Sequence, residues 1–314
     1  SGGDLGYKKL QLKTGGKSQN IDYLLNLAQQ DLAGFRKHSK SEGTVLNGKF
    51  GLQINPSDRL NLSINYTDQP QAQDPGGVNY AQAITDRSSA RDRNVSYDAG
   101  EALSQSRLGM VYEQERTKGN LVVRNYYVTR DFSNKLPFKN GGSVNIDRFF
   151  YGLGVQYEFK ELLPEDFSFT VGMDFDRQED KRKRFDNNSG TLGALTFDQE
   201  EHVSSDGFFA QGRYDKNKWS ISTGIRYDRV TFDTQDRYLA NGDDSGKLDF
   251  DAVSPSVGVN YELDTGILFG NISSSFETPT TTELANPDSS GGFNALLKPQ
   301  KANNMEIGYK ANYE

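Results

Sequence analysis

The sequence has 314 residues, a net charge of −7, no cysteine and 34% hydrophobic residues. That apolar share is far below the roughly 45–50% of soluble globular domains, so a large internal core is poorly supplied. However, 19 Phe and 16 Tyr in regular alternation argue against disorder. A mean hydropathy of −0.75 without an apolar run of about 18 residues excludes a helical membrane bundle, and the acidic balance argues against a nucleic-acid partner.

Alternation of apolar and polar residues runs through most of the chain, with no convincing helix between the alternating segments. In 166–177, for example, Phe167 and Val171 share one face while Ser168 and Thr170 share the other. Period-2 alternation is the pattern of a strand with one apolar face. We predict about thirteen strands, near 4–13, 21–34, 44–54, 59–67, 104–116, 120–131, 146–160, 166–177, 203–214, 218–233, 252–262, 266–277 and 303–313.

The links between these strands alternate between short and long. The short ones are 14–20, 55–59, 117–120, 162–166, 214–218 and 263–266, and the long ones are 35–43, 67–103, 132–145, 178–202, 234–251 and 278–302. Tight turns at one rim and long loops at the other are typical of outer-membrane barrels, whereas a soluble sandwich needs connections that cross between two sheets. We therefore predict an all-β fold, an antiparallel up-and-down transmembrane β-barrel whose apolar face contacts lipid. A soluble all-β sheet protein is the alternative.

Four stretches resemble a known family. SSSFETPTTTELANP at 273–287 and GFNALLKPQKANNMEIGYK at 292–310 resemble the C-terminal-half signature of TonB-dependent outer-membrane receptors. QPQAQDPGGV at 69–78 and DLAGFRKHS at 31–39 are similar to the extracellular ends of early barrel strands in siderophore and small-cofactor receptors. The resemblance implies a 22-stranded barrel occluded by an N-terminal plug domain, with import driven by the inner-membrane TonB complex.

The sequence departs from that family in what it contains. No plug or TonB box precedes Ser1, and the chain reaches Glu314 after about thirteen strands. We expect residues 1–314 to form one partial TonB-dependent receptor β-barrel domain, without the plug domain and the closing strands.

The sequence offers little support for catalysis or metal binding. His38 and His202 lie far apart, and without cysteine there is no recognisable metal-ligand spacing. We expect no catalytic residue, metal site or cofactor, so the protein is predicted not to be an enzyme. The basic run 181–184 is interpreted as a solvated loop tip, with contact to lipopolysaccharide phosphates or to an anionic ligand at the extracellular mouth as the functional alternative.

Cations on the polar face of the strands are the candidate ligand contacts. Because successive side chains of a strand alternate between its faces, the positions of Arg107, Arg213 and Arg226 place them on the face towards the lumen. We call this alternation parity. Arginine recognises carboxylates in a bidentate manner, and ferric siderophores and carboxylated cofactors are usually anionic. The alternative is that such arginines pair with carboxylates of the barrel or the plug. We predict substrate contacts, assisted by the link 67–103, from Arg124, Tyr126, Arg130, Arg213 and Arg226.

The sequence thus predicts an active-transport receptor of the bacterial outer membrane that binds and imports a ferric siderophore with TonB-transmitted energy. Its expected partners are a ferric siderophore or similar small ligand, the TonB complex through the plug, and outer-membrane lipid and lipopolysaccharide, with no nucleic acid. Three alternatives stay open. They are a TonB-dependent receptor for a small carboxylated cofactor such as pyrroloquinoline quinone, a passive porin, and a secreted all-β carbohydrate-active enzyme.

Overall fold

One antiparallel sheet makes up most of the protein, whose computed structural model describes residues 2–160, 164–286 and 291–311. Its thirteen strands, counted over those residues, lie side by side in chain order. The strands are β1 (Lys8–Ser18), β2 (Ile21–Leu32), β3 (Ser41–Asn55), β4 (Asp58–Gln73), β5 (Gly100–Arg116), β6 (Gly119–Lys135), β7 (Ser143–Phe159), β8 (Phe167–Asn188), β9 (Thr191–Lys216), β10 (Trp219–Asp236), β11 (Gly246–Leu263), β12 (Gly266–Glu277) and β13 (Gln300–Ala311).

The predicted all-β, up-and-down architecture is confirmed, and each predicted strand has one counterpart in the sheet. Strands pair with their neighbours in sequence because each short link reverses the chain at once. Parts of the predicted turn 162–166, link 278–302 and strand 303–313 lie outside the described residues.

The prediction of a long link at 178–202 is wrong. β8 continues to Asn188 and β9 begins at Thr191, so a two-residue turn joins them. Ser189 and Gly190 take the left-handed φ of 51° and 90° that such a hairpin turn requires. The strands are hard to recognise here because 179–184 of β8 carries charge on both faces and TLGALTF at 191–197 of β9 does not alternate strictly, which removes the contrast on which a period-2 pattern depends. β8 has 22 residues, about twice the 9–11 that cross a bilayer.

The expectation of no helix is wrong for the link 67–103. Between the ends of β4 and β5 lie two short helices, α1 (Tyr80–Thr85) and α2 (Asp92–Ser96). A capping box starts α1, because Asn79 accepts from the Gln82 amide at 2.9 Å while the Gln82 side chain accepts from the Asn79 amide at 3.1 Å. No helix in the described part of the chain is long and apolar enough to span a membrane.

One face of the sheet carries an apolar belt. The register aligns Val171 with Ala210 and Ala210 with Ile225, so the apolar positions of neighbouring strands share this face. Ile225 is 54% exposed. At the short-turn end Trp219 packs against Tyr261, with their ring centroids 4.6 Å apart. These side chains therefore point away from the rest of the protein.

The belt ends where polar pairs begin on the same face. The Tyr227 hydroxyl donates to Asp251 at 2.5 Å, and two residues further along β10 Arg229 donates to Asp249 at 3.0 Å. Thr231 donates to the same Asp249 at 2.6 Å. The long-link ends of the strands thus continue beyond the apolar belt as a polar extension.

On the opposite, polar face, the link after β12 folds back onto these extensions. Leu284 is completely buried against Phe232 of β10 and Phe250 of β11, with Val203 and Phe293 beside them. Burial of one leucine contributes roughly 1.5–3 kcal/mol, so this small core fastens the link to the sheet.

Candidate functional site

The polar face brings charged residues from distant parts of the chain into rows. Arg124 of β6 lies beside Gly154 of β7, which lies beside Asp174 of β8. The row continues through Gly207 of β9 to Asp228 of β10. Strand pairing therefore assembles one surface from five successive strands.

Two of the predicted ligand-binding arginines are ion-paired on this surface. Asp174 Oδ2 accepts from Arg226 Nη1 at 2.8 Å, and Asp174 Oδ1 lies 3.6 Å from Arg124 Nη2. Arg226 Nε also donates to both carboxylate oxygens of Asp228, at 2.8 and 3.0 Å. The guanidinium carbon of Arg226 lies 5.8 Å from the ring centre of Phe209, a cation–π distance. The two arginines and two aspartates carry no net charge.

Tyr126 belongs to the same surface and also has a carboxylate partner. Its hydroxyl donates a short hydrogen bond to Asp176, and its ring centroid lies 5.2 Å from that of Phe150. Asp176 adds a negative charge, so this surface does not favour an anion. We refer to Arg124, Tyr126, Asp174, Asp176, Arg226 and Asp228 together as the paired wall.

Glycines allow these side chains to lie flat on the sheet. A β-carbon at Gly152 would stand 2.5 Å from the Tyr126 hydroxyl, and one at Gly154 would stand 2.7 Å from Asp174 Oδ1. Both distances are too short for a real contact, so each glycine occupies a position where a neighbouring side chain crosses the strand. The sequence signal for this arrangement is the stretch YGLG at 151–154, whose two glycines fall on the polar face.

The other two predicted arginines lie elsewhere. Arg130 donates from Nε to Gln105 at 2.8 Å, four residues beyond Tyr126 on β6. Arg213 forms a bidentate pair with Asp215 near the short-turn end of β9. Arg213 is paired in register with Ser222, which lies four residues, roughly 13 Å, below Arg226. The structure thus brings Arg124, Tyr126 and Arg226 together but separates them from Arg130 and Arg213.

Two buried ion pairs occupy the strand extensions, and sequence reasoning missed both. Arg148 Nε and Nη2 donate to the two oxygens of the fully buried Asp180, at 2.7 and 2.5 Å. Arg182 Nη2 donates to Glu201 at 3.2 Å, and its Nη1 donates to Thr282 at 2.7 Å. Burial raises the pKa of Glu201, against the opposing effects of Arg182 and of a hydrogen bond from Thr281. The missed signal lies in EDKRKR, 179–184. Asp180, Arg182 and Arg184 occupy alternate positions there, so they share one face of the strand.

The basic run is therefore not a loop tip. It lies within β8, where Arg182 and Arg184 share the face of Asp180, and Lys181 and Lys183 share the opposite face. Only alternate cations of the run can contact the same partner.

Side chains fasten the long links to one another. Arg36 donates to the backbone carbonyls of Ser89, Gly76 and Pro75 at 2.8, 2.6 and 3.2 Å. Asn187, at the far end of β8, donates to the carbonyls of Tyr97 and Leu136. The predicted ligand-contacting link 67–103 is thus held by two other parts of the chain.

The two histidines stand apart in the fold. His38 Nε2 lies 2.7 Å from the Ala99 carbonyl, and His202 Nε2 lies 3.7 Å from Glu200. No three His, Asp or Glu side chains in the described ranges are placed to hold a metal ion.

Comparison with known proteins identifies the family. The family model described as "TonB dependent receptor-like, beta-barrel" matches residues 40–314. The chain belongs to this receptor family. The family assignment expected from 273–287 and 292–310 is thereby confirmed.

Solved structures support the receptor fold. The unliganded ferric citrate transporter FecA matches with a TM-score of 0.79 at 18% identity, over 98% of this chain and 47% of that one. The copper transporter OprC matches with 0.76 at 14%, over 100% and 50%. The ferric yersiniabactin uptake receptor FyuA from Yersinia pestis matches with 0.72 at 12%, over 99% and 50%. At these identities the likeness shows the fold alone, and the chain spans about half the length of these proteins.

In a receptor barrel of this family, the apolar belt is the outer face and the polar face lines the lumen. The paired wall is then a lumen surface, as are the buried ion pairs of the extensions. The inward position predicted from parity for Arg107, Arg213 and Arg226 agrees with the register of the receptor barrel.

A groove of about 480 Å³ crosses the lumen face from β2 to β6. Its lining includes Lys49 and Arg107, and Arg124 lies at its border with the paired wall. We refer to this feature as the cationic groove. The small residues Gly51, Ser63 and Gly109 are also part of its lining.

Proposed function

We propose that this chain is part of an outer-membrane receptor that imports a ferric siderophore with energy transmitted by the TonB complex, rather than an enzyme. The observation that carries the proposal is a receptor-family barrel with an apolar outer belt and a charged lumen wall. Relatives in fold include the ferric yersiniabactin uptake receptor and the ferric-catecholate import receptor Fiu of E. coli, matched with a TM-score of 0.70 at 15% identity over 98% of this chain and 54% of that one.

The direct test is growth under iron limitation. A strain without the receptor gene, complemented by the full-length gene, is supplied with single purified ferric siderophores. We expect one of them to support growth only with the gene and with a working TonB complex. Equal growth of the deletion strain on every iron source would contradict the proposal.

We further propose that lipid of the bacterial outer membrane surrounds the belt, with lipopolysaccharide around the outward Lys181 and Lys183. Arginine in place of Val171 or Ile225 is expected to cost roughly 2–4 kcal/mol of folding free energy, because a charge would then face lipid. Arginine in place of Thr170 or Gln156, on the lumen face, should be tolerated. Folding into lipid vesicles measures the difference, and equal tolerance on both faces would argue against the membrane barrel.

The long-link rim is proposed to be extracellular. A cysteine introduced at Asn188, at the tip of the β8–β9 hairpin, should then react with a membrane-impermeant maleimide on whole cells. A cysteine at Asn217, in the short turn between β9 and β10, should stay unlabelled. The reverse labelling pattern would invert the topology.

Ligand contact by Arg124, Tyr126, Arg130, Arg213 and Arg226 stays a prediction. Removal of a cation that grips an anionic ligand should weaken binding roughly ten-fold or more. Because Arg130 is bonded to the neutral Gln105, we expect its Ala variant to have the largest effect in the set. Siderophore affinity of the intact receptor decides this, with Lys181→Ala as the control. If all the arginine variants bind normally, these residues serve only as wall pairs.

A further inference from the structure

The cationic groove contains two cations, Lys49 and Arg107, that make no ion pair within the part of the chain that the structure describes. Over the described ranges, neither Lys49 nor Arg107 lies within ion-pair distance of a carboxylate. The acid in the groove lining, Asp22, is already paired with Arg59 at 2.7 Å. From this excess of positive charge we propose that the groove binds a polycarboxylate anion through Lys49 and Arg107. The inference rests on the proposed function in one respect, namely that the lumen is reached by water and solutes.

The register shows how the groove is built. Lys49 of β3 is paired with Ser63 of β4, which is paired with Gly109 of β5, and Gly109 is paired with Tyr126 of β6. The small residues Ser63 and Gly109 thus separate the long side chains of Lys49 and Tyr126. This arrangement leaves a depression between them.

Arg107 borders the same depression from the next row, where it is paired with Asn65. Neighbouring strands lie about 4.8 Å apart, so the backbones of β3 and β5 are separated by about 10 Å. The long side chains of Lys49 and Arg107 can therefore reach one anion from two sides.

The side-chain chemistry favours an anion with several carboxylates. Arginine binds one carboxylate through two parallel hydrogen bonds, whereas lysine acts as a point charge. Arg124 also lies at the groove edge, but it is already paired with Asp174 at 3.6 Å, so the binding is left to Lys49 and Arg107. A tricarboxylate can present one acid to each of these two cations.

The test is calorimetric titration of the full-length receptor in detergent with tricarballylate, a tricarboxylate without the hydroxyl group that assists iron chelation. We expect each of Lys49→Gln and Arg107→Gln to weaken binding roughly ten-fold and the double variant roughly a hundred-fold. Binding should also weaken as salt rises, because the attraction is electrostatic. Ser63→Leu, which fills the groove without altering its charge, should abolish binding as well.

Two controls separate groove binding from general charge attraction. Lys181→Gln removes a cation of the outer face and should bind tricarballylate normally. The uncharged trimethyl ester of tricarballylate should not bind the wild type. Heat-modifiable migration on gels verifies that every variant is folded.

Three results would overturn the inference. The first is an unchanged affinity in the double variant, and the second is equal binding of the ester. The third is no binding to the wild type, whatever the stability of the double variant. A less stable double variant would then mean that an acidic segment of the receptor fills the groove. The iron-limited growth test is independent, so the proposed function can fail while tricarballylate still binds, or hold while it does not.

Discussion

The lumen face uses its cations in two different ways. On the paired wall, Arg124 and Arg226 share Asp174, and Asp228 adds a second carboxylate to Arg226. In the cationic groove, Lys49 has the neutral Ser63 as its register partner. In both regions the cations occupy strand positions that face the lumen. The difference shows that the residues on the neighbouring strands, rather than parity, decide whether an inward cation is available to a ligand.

The surroundings of the glycines also differ between the paired wall and the cationic groove. On the paired wall, Gly152 lies beside Tyr126, whose ring occupies the space that a side chain at 152 would need. In the groove, Gly109 lies beside Ser63, and a β-carbon at 109 would meet only the Ser63 hydroxyl, at 2.6 Å, and its β-carbon, at 4.0 Å. Tyr126 is the register partner of both glycines, but its ring crosses Gly152 and not Gly109. A glycine that a long side chain crosses therefore flattens the wall, whereas one that no long side chain crosses opens it.

On the lumen face, the largest loss of stability is expected from Gly152→Ala. The added β-carbon displaces Tyr126 and breaks its bond to Asp176, which should cost about 1–3 kcal/mol of unfolding free energy. Denaturant unfolding of the receptor in lipid vesicles measures this loss. Gly270→Ala is the matched strand control, because a β-carbon there meets its nearest neighbour, the Glu306 carbonyl oxygen, at an ordinary 3.7 Å. Equal losses of unfolding free energy at both positions would mean that the Tyr126–Asp176 hydrogen bond does not require a glycine at 152.

Ser63→Asp should convert the groove into a second paired wall. A carboxylate between Lys49 and Arg107 would cancel one of their two positive charges and compete with the ligand for both, and tricarballylate affinity should fall about 30-fold, or about 2 kcal/mol. Calorimetric titration provides the measurement. Asparagine has the size of aspartate but no charge, so the Ser63→Asn variant should bind tricarballylate nearly as the wild type does. An equal loss in both variants would point to size rather than charge.

Asp174→Asn should make the paired wall more like the groove. Arg124 and Arg226 lose a shared charge, so tricarballylate should bind about three-fold more tightly, while stability falls by about 1 kcal/mol. Titration and unfolding of the same preparation report the two effects. The outer-face variant Asp251→Asn removes an equal charge and should leave binding unchanged. If the paired wall attracts no additional anion after this change, the Asp174 carboxylate is not what excludes a ligand.

The smallest effect concerns the buried acid of the extensions. Because burial raises the pKa of Glu201, the folded protein holds this proton more tightly than the unfolded chain does. Stability should therefore decrease as pH rises from about 4.3 through the raised pKa. Glu201→Gln should remove that part of the slope, with a change in unfolding midpoint of about 2 °C or less between pH 4 and pH 7. An unaltered slope would mean that the pKa of Glu201 is not raised in the folded protein.

Local patterns determined the fold class. Alternation of apolar and polar residues depends only on the direction of successive side chains along one strand, so it revealed the strands, their apolar face and the inward position of Arg226 before any contact was known. The same rule fails for 178–202, because 179–184 carries charge on both faces and 191–197 does not alternate strictly, so neither segment has a contrast to detect. It fails also for α1, since a helix of six residues is marginal on its own and depends on its cap and its surroundings.

Tertiary structure decided which charged residues meet. Nothing near Arg124 in the sequence indicates that its partner is Asp174, or that Asp180 and Glu201 would be buried on adjacent strands. These pairings depend on register, which is set by the backbone hydrogen bonds between strands and by where each turn reverses the chain. The sequence therefore specified the face that each arginine occupies. Only the paired strands could show that Arg124 and Arg226 are matched by a carboxylate while, among the residues that the structure describes, Lys49 and Arg107 are not.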